Sequence, residues 1–391
     1  MAIWVQKVMR FRALDGFRGL CALLVALYHF PVCNHLLGPR FFLPNAQMLM
    51  DFFFVFSGFL IASAYGDKLQ TADNARRFIV SRLSRLWPLH VAMLGVFVAL
   101  ELSKLIFAPK LGINLPFTGA RPVWAILSHL FLVHSLHLHP MLTWNAPSWT
   151  VSVEFWTYLV FAVLTVMAPR RPLVICASMA IVGALGVAVI ARKLDATYDW
   201  GLFRCFYGFF VGAITWRLFK ARPADLSWSP ALAGAAEIAA LVGVFAYIAL
   251  LGGPPTGFAG PLIFAGFIWL FAAEQGIASR GLSFPALVWL GEISYSIYLV
   301  HFPLIMISAV GLRLVEHATG FHISALGFDG LDRMAFISGP SLWIMDGVMI
   351  GYLAIVIAVA SQTYRFIEQP GRTLFGLRPA QAPRTAAAQP A

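Results

Sequence analysis

The chain is laid out as long apolar blocks separated by short polar stretches. A helix needs roughly 20 apolar residues to cross about 30 Å of hydrocarbon. Ten blocks meet that requirement: 14–35, 46–65, 87–107, 149–168, 172–191, 203–219, 231–251, 258–274, 286–310 and 343–365. An eleventh, 123–138, is shorter and carries His129, His134 and His137. It reads as a span, a re-entrant piece or an interfacial helix. No fixed-period repeat is evident, and the two halves lack a matched pair of Gly/Pro-broken helices of the kind that marks many transporters.

Composition agrees with that layout. Of 391 residues, 60% are hydrophobic and 12% charged, half the charge of a typical soluble domain at roughly 25%. A soluble enzyme, a disordered chain and a disulfide scaffold are excluded. The 34 Phe and 12 Trp suit side chains that face lipid and its interfaces. The net charge of +11 comes without a Lys/Arg run that would track phosphates, so no nucleic-acid partner is expected. The four cysteines lack metal-ligand spacing and read as apolar filler. Lys7, Arg10 and Arg12 precede the first block as in a signal peptide. That block contains Arg18 and has no small-x-small cleavage site, so an uncleaved first helix is expected.

Basic residues then set sidedness. With the N-terminus in the cytoplasm and 123–138 not crossing, 18 Lys/Arg fall inside and 9 outside; if 123–138 crosses, the counts become 13 and 14. The positive-inside rule favours the first arrangement. The expectation is an all-α, polytopic membrane protein of about ten transmembrane helices with both termini cytoplasmic. Residues 1–375 form a single transmembrane domain, and the Pro/Ala-rich 376–391 a disordered cytoplasmic tail. The outside loop 311–342, with its Gly, His and Asp, is a candidate cover for an acceptor site.

Ionisable groups inside spans are costly unless paired or facing a cavity, so each is a functional candidate. Arg18 and His29 lie eleven residues apart on the first helix, which puts them about 20° apart around the axis and about 16 Å apart along it. Gly19, Ala22 and Ala26 share that side as a small-residue seam. Asp51 opens the second span at the depth expected for His29 and is placed to orient its imidazole; the alternative is an acid favoured by the helix dipole. Ser57-Gly58 reads as a close-packing point rather than a nucleophile. Arg82 and Arg85, three apart, form a fork suited to a phosphate-bearing ligand, or an ordinary cytoplasmic anchor. Glu154, five residues beyond Trp149, is a candidate general acid/base or acceptor-positioning group, against a paired structural carboxylate. Ser294, Tyr298 and His301 make one polar stripe, either a packed hydrogen-bond network or a pocket wall. His134, His137 and His139 have no convincing ligand set around them, and no metal is expected.

Six segments, LDGFRGLCALLVALYH (14–29), DFFFVFSGFLI (51–61), SRLSRLWPLH (81–90), PSWTVSVEFWTY (147–158), ISYSIYLVHFP (293–303) and FIEQP (366–370), together resemble the acyltransferase 3 family of integral-membrane acyltransferases. The resemblance covers nearly the whole chain. It implies transfer of an acyl group, commonly acetyl, from cytosolic acyl-CoA as co-substrate, with no bound cofactor. The implied acceptor is a hydroxyl, often on a glycan or glycolipid, and the implied location the bacterial inner membrane. Its motif residues carry over to Arg18, His29, Arg82, Arg85 and Glu154. Some members add an extracytoplasmic hydrolase-like domain, which is not expected in this chain.

Together these readings predict that Arg18, Arg82 and Arg85 neutralise the phosphates of acyl-CoA. The pantetheine arm then threads past the small-residue seam, and His29, oriented by Asp51 or Glu154, removes the acceptor proton. No Ser or Cys has a compelling base beside it in the sequence, so direct transfer is favoured over an acyl-enzyme. The rival from another class is a transporter or flippase of a lipid-linked saccharide.

Overall fold

The structure, a computed structural model, describes residues 9–30, 32, 34–36, 45–111, 115–193, 195–223, 228–251, 253, 256–320 and 341–374. Every regular element among them is helical. Eight helices are long and apolar enough to cross a bilayer: Ala46–Tyr65, Ala72–Ile106, Ala146–Met167, Pro172–Ala191, Gly201–Lys220, Pro230–Leu251, Ser294–Gly311 and Leu342–Gly371. Each corresponds to a predicted block. The two remaining blocks are shorter than predicted. The first helix, α1 (Arg12–Tyr28), has 17 residues. The other is the apolar Thr256–Phe271.

The elements that build the site are α2 (Leu49–Tyr65), α3 (Ala72–Leu111), α4 (Ala125–Leu130), α5 (Trp149–Met167), α6 (Pro172–Leu185) and α7 (Gly201–Lys220). They are followed by α8 (Pro230–Ala246), α9 (Gly260–Phe271), α10 (Ile277–Leu282), α11 (Pro285–Glu292), α12 (Ser294–Thr319) and α13 (Leu342–Thr363). Three boundaries differ from the sequence reading. The third span is preceded by about four helical turns rather than a loop, so Arg82 and Arg85 sit within one continuous helix, α3. The block 286–310 is two helices, α11 and α12, broken at Ile293. The block 123–138 holds only the six-residue α4, about 9 Å long at 1.5 Å per residue, too short to cross. Its chain is nonetheless inserted: His129, His134 and Trp144 are buried. The indole N–H groups of Trp87 on α3 and Trp156 on α5 donate to the carbonyls of Leu130 and Leu132. The segment is wedged between α3 and α5. The predicted tail and most of the loop 311–342 lie outside the described residues, as does Cys33.

Two contacts fix the helices around the site, and both need glycine. A Cβ on Gly58 of α2 would sit 1.8 Å from the carbonyl oxygen of Phe209, and one on Gly212 of α7 would sit 1.9 Å from that of Val55. Helices α2 and α7 therefore cross backbone to backbone. Likewise a Cβ on Gly19 would lie 2.6 Å from the Gly291 nitrogen, and one on Gly291 would lie 2.0 Å from the Asp15 carbonyl oxygen. Gly19, one residue of the predicted small-residue seam of α1, is thus packed against α11. Close approach of this kind is what small residues permit in lipid, where helix association relies on packing.

Candidate active site

Arg18 and His29 do share a face of α1, and the α11–α12 pair lies against it. The Arg18 guanidinium donates to the Gly291 carbonyl through Nε at 3.2 Å and Nη2 at 2.6 Å, and pairs with Asp15 at 3.1 Å. It also lies over the Phe56 ring. Eleven residues on, His29 caps α1 and its ring lies 5.1 Å from that of His301 on α12. The Nδ1 of His29 is 2.9 Å from the Val25 carbonyl. A carbonyl only accepts, so Nδ1 carries the proton and Nε2 keeps the lone pair of the neutral ring. His301 repeats the arrangement with the Ile297 carbonyl at 3.3 Å, and its Nε2 is buried without a partner among the described residues.

Asp51 does not orient His29. Both of its oxygens are taken by Arg204 of α7, which donates from Nε at 2.9 Å and Nη2 at 2.8 Å, and Nη2 also reaches the Gln47 carbonyl. Both side chains are buried, and Trp149 lies against the guanidinium. The pair is an ion lock between α2 and α7. Arg204 lies inside the predicted span 203–219, and a cation within an apolar span was the available signal for a buried partner.

Glu154 likewise makes no hydrogen bond to His29. It sits one and a half turns into α5 and accepts at Oε1 from Ser57 at 2.6 Å and from Tyr158 at 2.5 Å, with the two hydroxyls 2.8 Å apart. This places a carboxylate beside a serine, which sequence spacing did not reveal because α2 and α5 are nearly a hundred residues apart. Arg85 is within electrostatic range of Glu154, Tyr158, Tyr295 and Glu368. It has no hydrogen bond or ion pair among the described residues. Arg82 is engaged: it donates to the hydroxyls of Tyr65 at 3.1 Å and Ser81 at 3.2 Å, and faces the Tyr65 and Phe78 rings. Glu368, from the FIEQP segment, is fully buried and binds Ser296 at 2.9 Å and Arg372 at 2.7 Å. Sequence reading gave it no role. Arg18 thus feels Asp15 and Glu368 together with Arg85 and Arg372.

The stripe on α12 divides. The Tyr298 hydroxyl donates to the Pro147 carbonyl at 2.6 Å and accepts from Thr150 at 3.1 Å, tying α12 to the start of α5. Ser294 is buried at the first residue of α12, and His301 faces His29. His134, His137 and His139 do not converge: His137 stacks on Trp200, and His139 bonds Ser128 and stacks on Trp124. His134 groups instead with His129 and with His90 of α3.

Residues 11–361 match the family model described as an acyltransferase domain. The chain is 26% identical to the acyltransferase MdmB of Streptomyces mycarofaciens, over 95% of this chain and 94% of that one. It is 22% identical to the peptidoglycan O-acetyltransferase OatA of Listeria monocytogenes, over 92% of this chain and 55% of that one. A third relative, protein 2 in the picA locus of Rhizobium radiobacter, is 35% identical over 23% of this chain and 45% of its own. The chain therefore spans about half the length of two of these three relatives. No solved structure matches. The largely buried arginines, the imidazole pair and the carboxylate cluster stand in an integral-membrane, helical enzyme that transfers acyl groups other than aminoacyl, and the chain belongs to the acyltransferase 3 family.

Proposed function

We propose that this enzyme moves an acyl group, acetyl in the first instance, from cytosolic acyl-CoA to a hydroxyl of a carbohydrate or other surface or secreted acceptor, with His29 as general base. The proposed setting is a bacterial inner membrane with both chain termini cytoplasmic. The observation that carries the reading is the tautomer of His29: Nδ1–H is spent on the Val25 carbonyl, which leaves Nε2 as a proton acceptor, the state a general base needs near neutral pH. Nε2 takes the proton of the acceptor hydroxyl while its oxygen attacks the thioester carbonyl. The C–S bond breaks, and the leaving CoA thiolate receives that proton back from the His29 imidazolium, which restores the base. Arg85, a cation with no hydrogen bond or ion pair among the described residues, supplies the counter-charge for a donor phosphate. Glu154, Ser57 and Tyr158 present linked oxygens that hold a second polar group of the bound substrates, apart from the hydroxyl that His29 deprotonates. The relative named as a peptidoglycan O-acetyltransferase supports a glycan hydroxyl as acceptor.

Membranes containing the protein, given acetyl-CoA and their own glycans and glycolipids, are expected to release free thiol above membranes without it. Glycan or lipid extracts should gain acetyl mass in parallel. Transbilayer movement of a lipid-linked saccharide with no thiol release contradicts the reading and favours transport.

A further inference from the structure

We propose that His90, His129 and His134 form a binding site for one first-row transition-metal dication of the zinc class, which clamps the inserted segment onto α3 and the start of α5. The three side chains are buried at 1%, 0% and 3% exposure. Each offers a ring nitrogen, and these atoms lie within 4.8 Å of one another. The other contacts of the rings fit ligands held from behind. His90 Nε2 is 3.1 Å from the His129 carbonyl, His134 Nε2 is 3.1 Å from the Ser148 carbonyl, and His129 Nε2 is 2.8 Å from the Thr143 hydroxyl. Carbonyls fix Nε2 as the protonated nitrogen of His90 and His134. Their Nδ1 atoms therefore carry free lone pairs, and all three Nδ1 atoms are buried without a hydrogen-bond partner among the described residues. Metal-bound histidines ordinarily donate their second nitrogen to an oxygen in this way.

Buried acceptors without donors normally find a partner, and two beside a third imidazole whose tautomer the Thr143 hydroxyl leaves open call for one that is shared. Three neutral imidazoles with no carboxylate or thiolate among them suit zinc, cobalt, nickel or copper and not magnesium or calcium. A fourth position is left for water. The rings stack within 8° of parallel, His129 on His134 at 3.8 Å. Metal bonds of about 2.0–2.1 Å in a tetrahedron set nitrogens about 3.4 Å apart. Binding thus draws the rings together and turns them about χ2, a broad torsion in histidine, and the Nε2 contacts adjust with the rings. Leu132, at φ +55°, turns the chain between His129 and His134 so that both reach His90.

The test uses the full-length protein in detergent, carrying a purification tag free of histidine and stripped with a chelator. Titration with Co²⁺ is expected to give the visible d–d bands of a tetrahedral nitrogen site at one equivalent per chain. Zn²⁺ is expected to displace it. His90→Ala, His129→Ala and His134→Ala should each weaken Co²⁺ binding at least tenfold, while His137→Ala, a histidine outside the cluster, leaves it unchanged. Absence of a stoichiometric Co²⁺ signal in the wild-type protein overturns the proposal whether or not the variants fold. So does binding that survives all three substitutions in folded, monodisperse protein.

Discussion

Arg204 grips Asp51 through two parallel hydrogen bonds of 2.9 and 2.8 Å, with both side chains buried between α2 and α7. Removing one member of such a pair strands the other charge, at a cost of about 3–5 kcal/mol, whereas an apolar pair of similar volume is often tolerated. Asp51→Ala and Arg204→Ala are therefore each expected to lower the melting temperature in detergent sharply. The double variant Asp51→Leu/Arg204→Met should recover most of the loss. Size-exclusion-monitored melting checks this, and a double variant no better than the singles would contradict it.

Gly58 tests the backbone crossing of the same two helices. Gly58→Ala puts a Cβ where the Phe209 carbonyl already stands, and overpacking of this kind costs about 1–3 kcal/mol. Gly95→Ala meets nothing within 4 Å and should gain slightly, since alanine outranks glycine in a helix by about 1 kcal/mol. Paired melting curves should move in opposite directions.

The two arginines nearest the proposed donor are expected to separate by assay. Arg18 is committed to Gly291 and Asp15, so Arg18→Ala should lower stability. Arg85 makes no hydrogen bond or ion pair among the described residues and feels only the field of Glu368, Glu154 and their neighbours. Arg85→Ala should lower the melting temperature less than Arg18→Ala while raising the KM for acyl-CoA about tenfold to a hundredfold, the loss of one or two charge-assisted hydrogen bonds. A fall in kcat at unchanged KM would remove the phosphate role from Arg85.

Tyr158 and Ser57 donate to the same oxygen of Glu154. Tyr158→Phe and Ser57→Ala should each lower kcat about tenfold with little change in donor KM, about 1.4 kcal/mol of transition-state positioning. Because they share one acceptor, the double variant should fall short of a hundredfold. Steady-state kinetics on the four proteins measures the coupling.

The spans were legible because lipid demands long apolar runs, and such runs are visible without any tertiary knowledge. The shared face of Arg18 and His29 was legible because one helix carries both and 100° per residue fixes their relation. What lies opposite is not: the seam beside Arg18 reads as open in one dimension, and α11 packs on Gly19 within it. Depth alone suggests Asp51 for His29, whereas its partner is Arg204, from a span that the sequence sets 153 residues away. The meeting of Ser57 with Glu154, and of His90 with His129 and His134, depends on which helices become neighbours. Spacing along the chain does not encode that.

The central claim is proton abstraction by His29. Membranes bearing His29→Gln should be compared with wild type for thiol release from acetyl-CoA at equal amounts of folded protein. The expected result is a rate lower by about 10²–10⁴, the usual worth of a general base, with donor affinity and melting temperature unchanged. Wild-type thiol release from the folded His29→Gln protein would contradict the account.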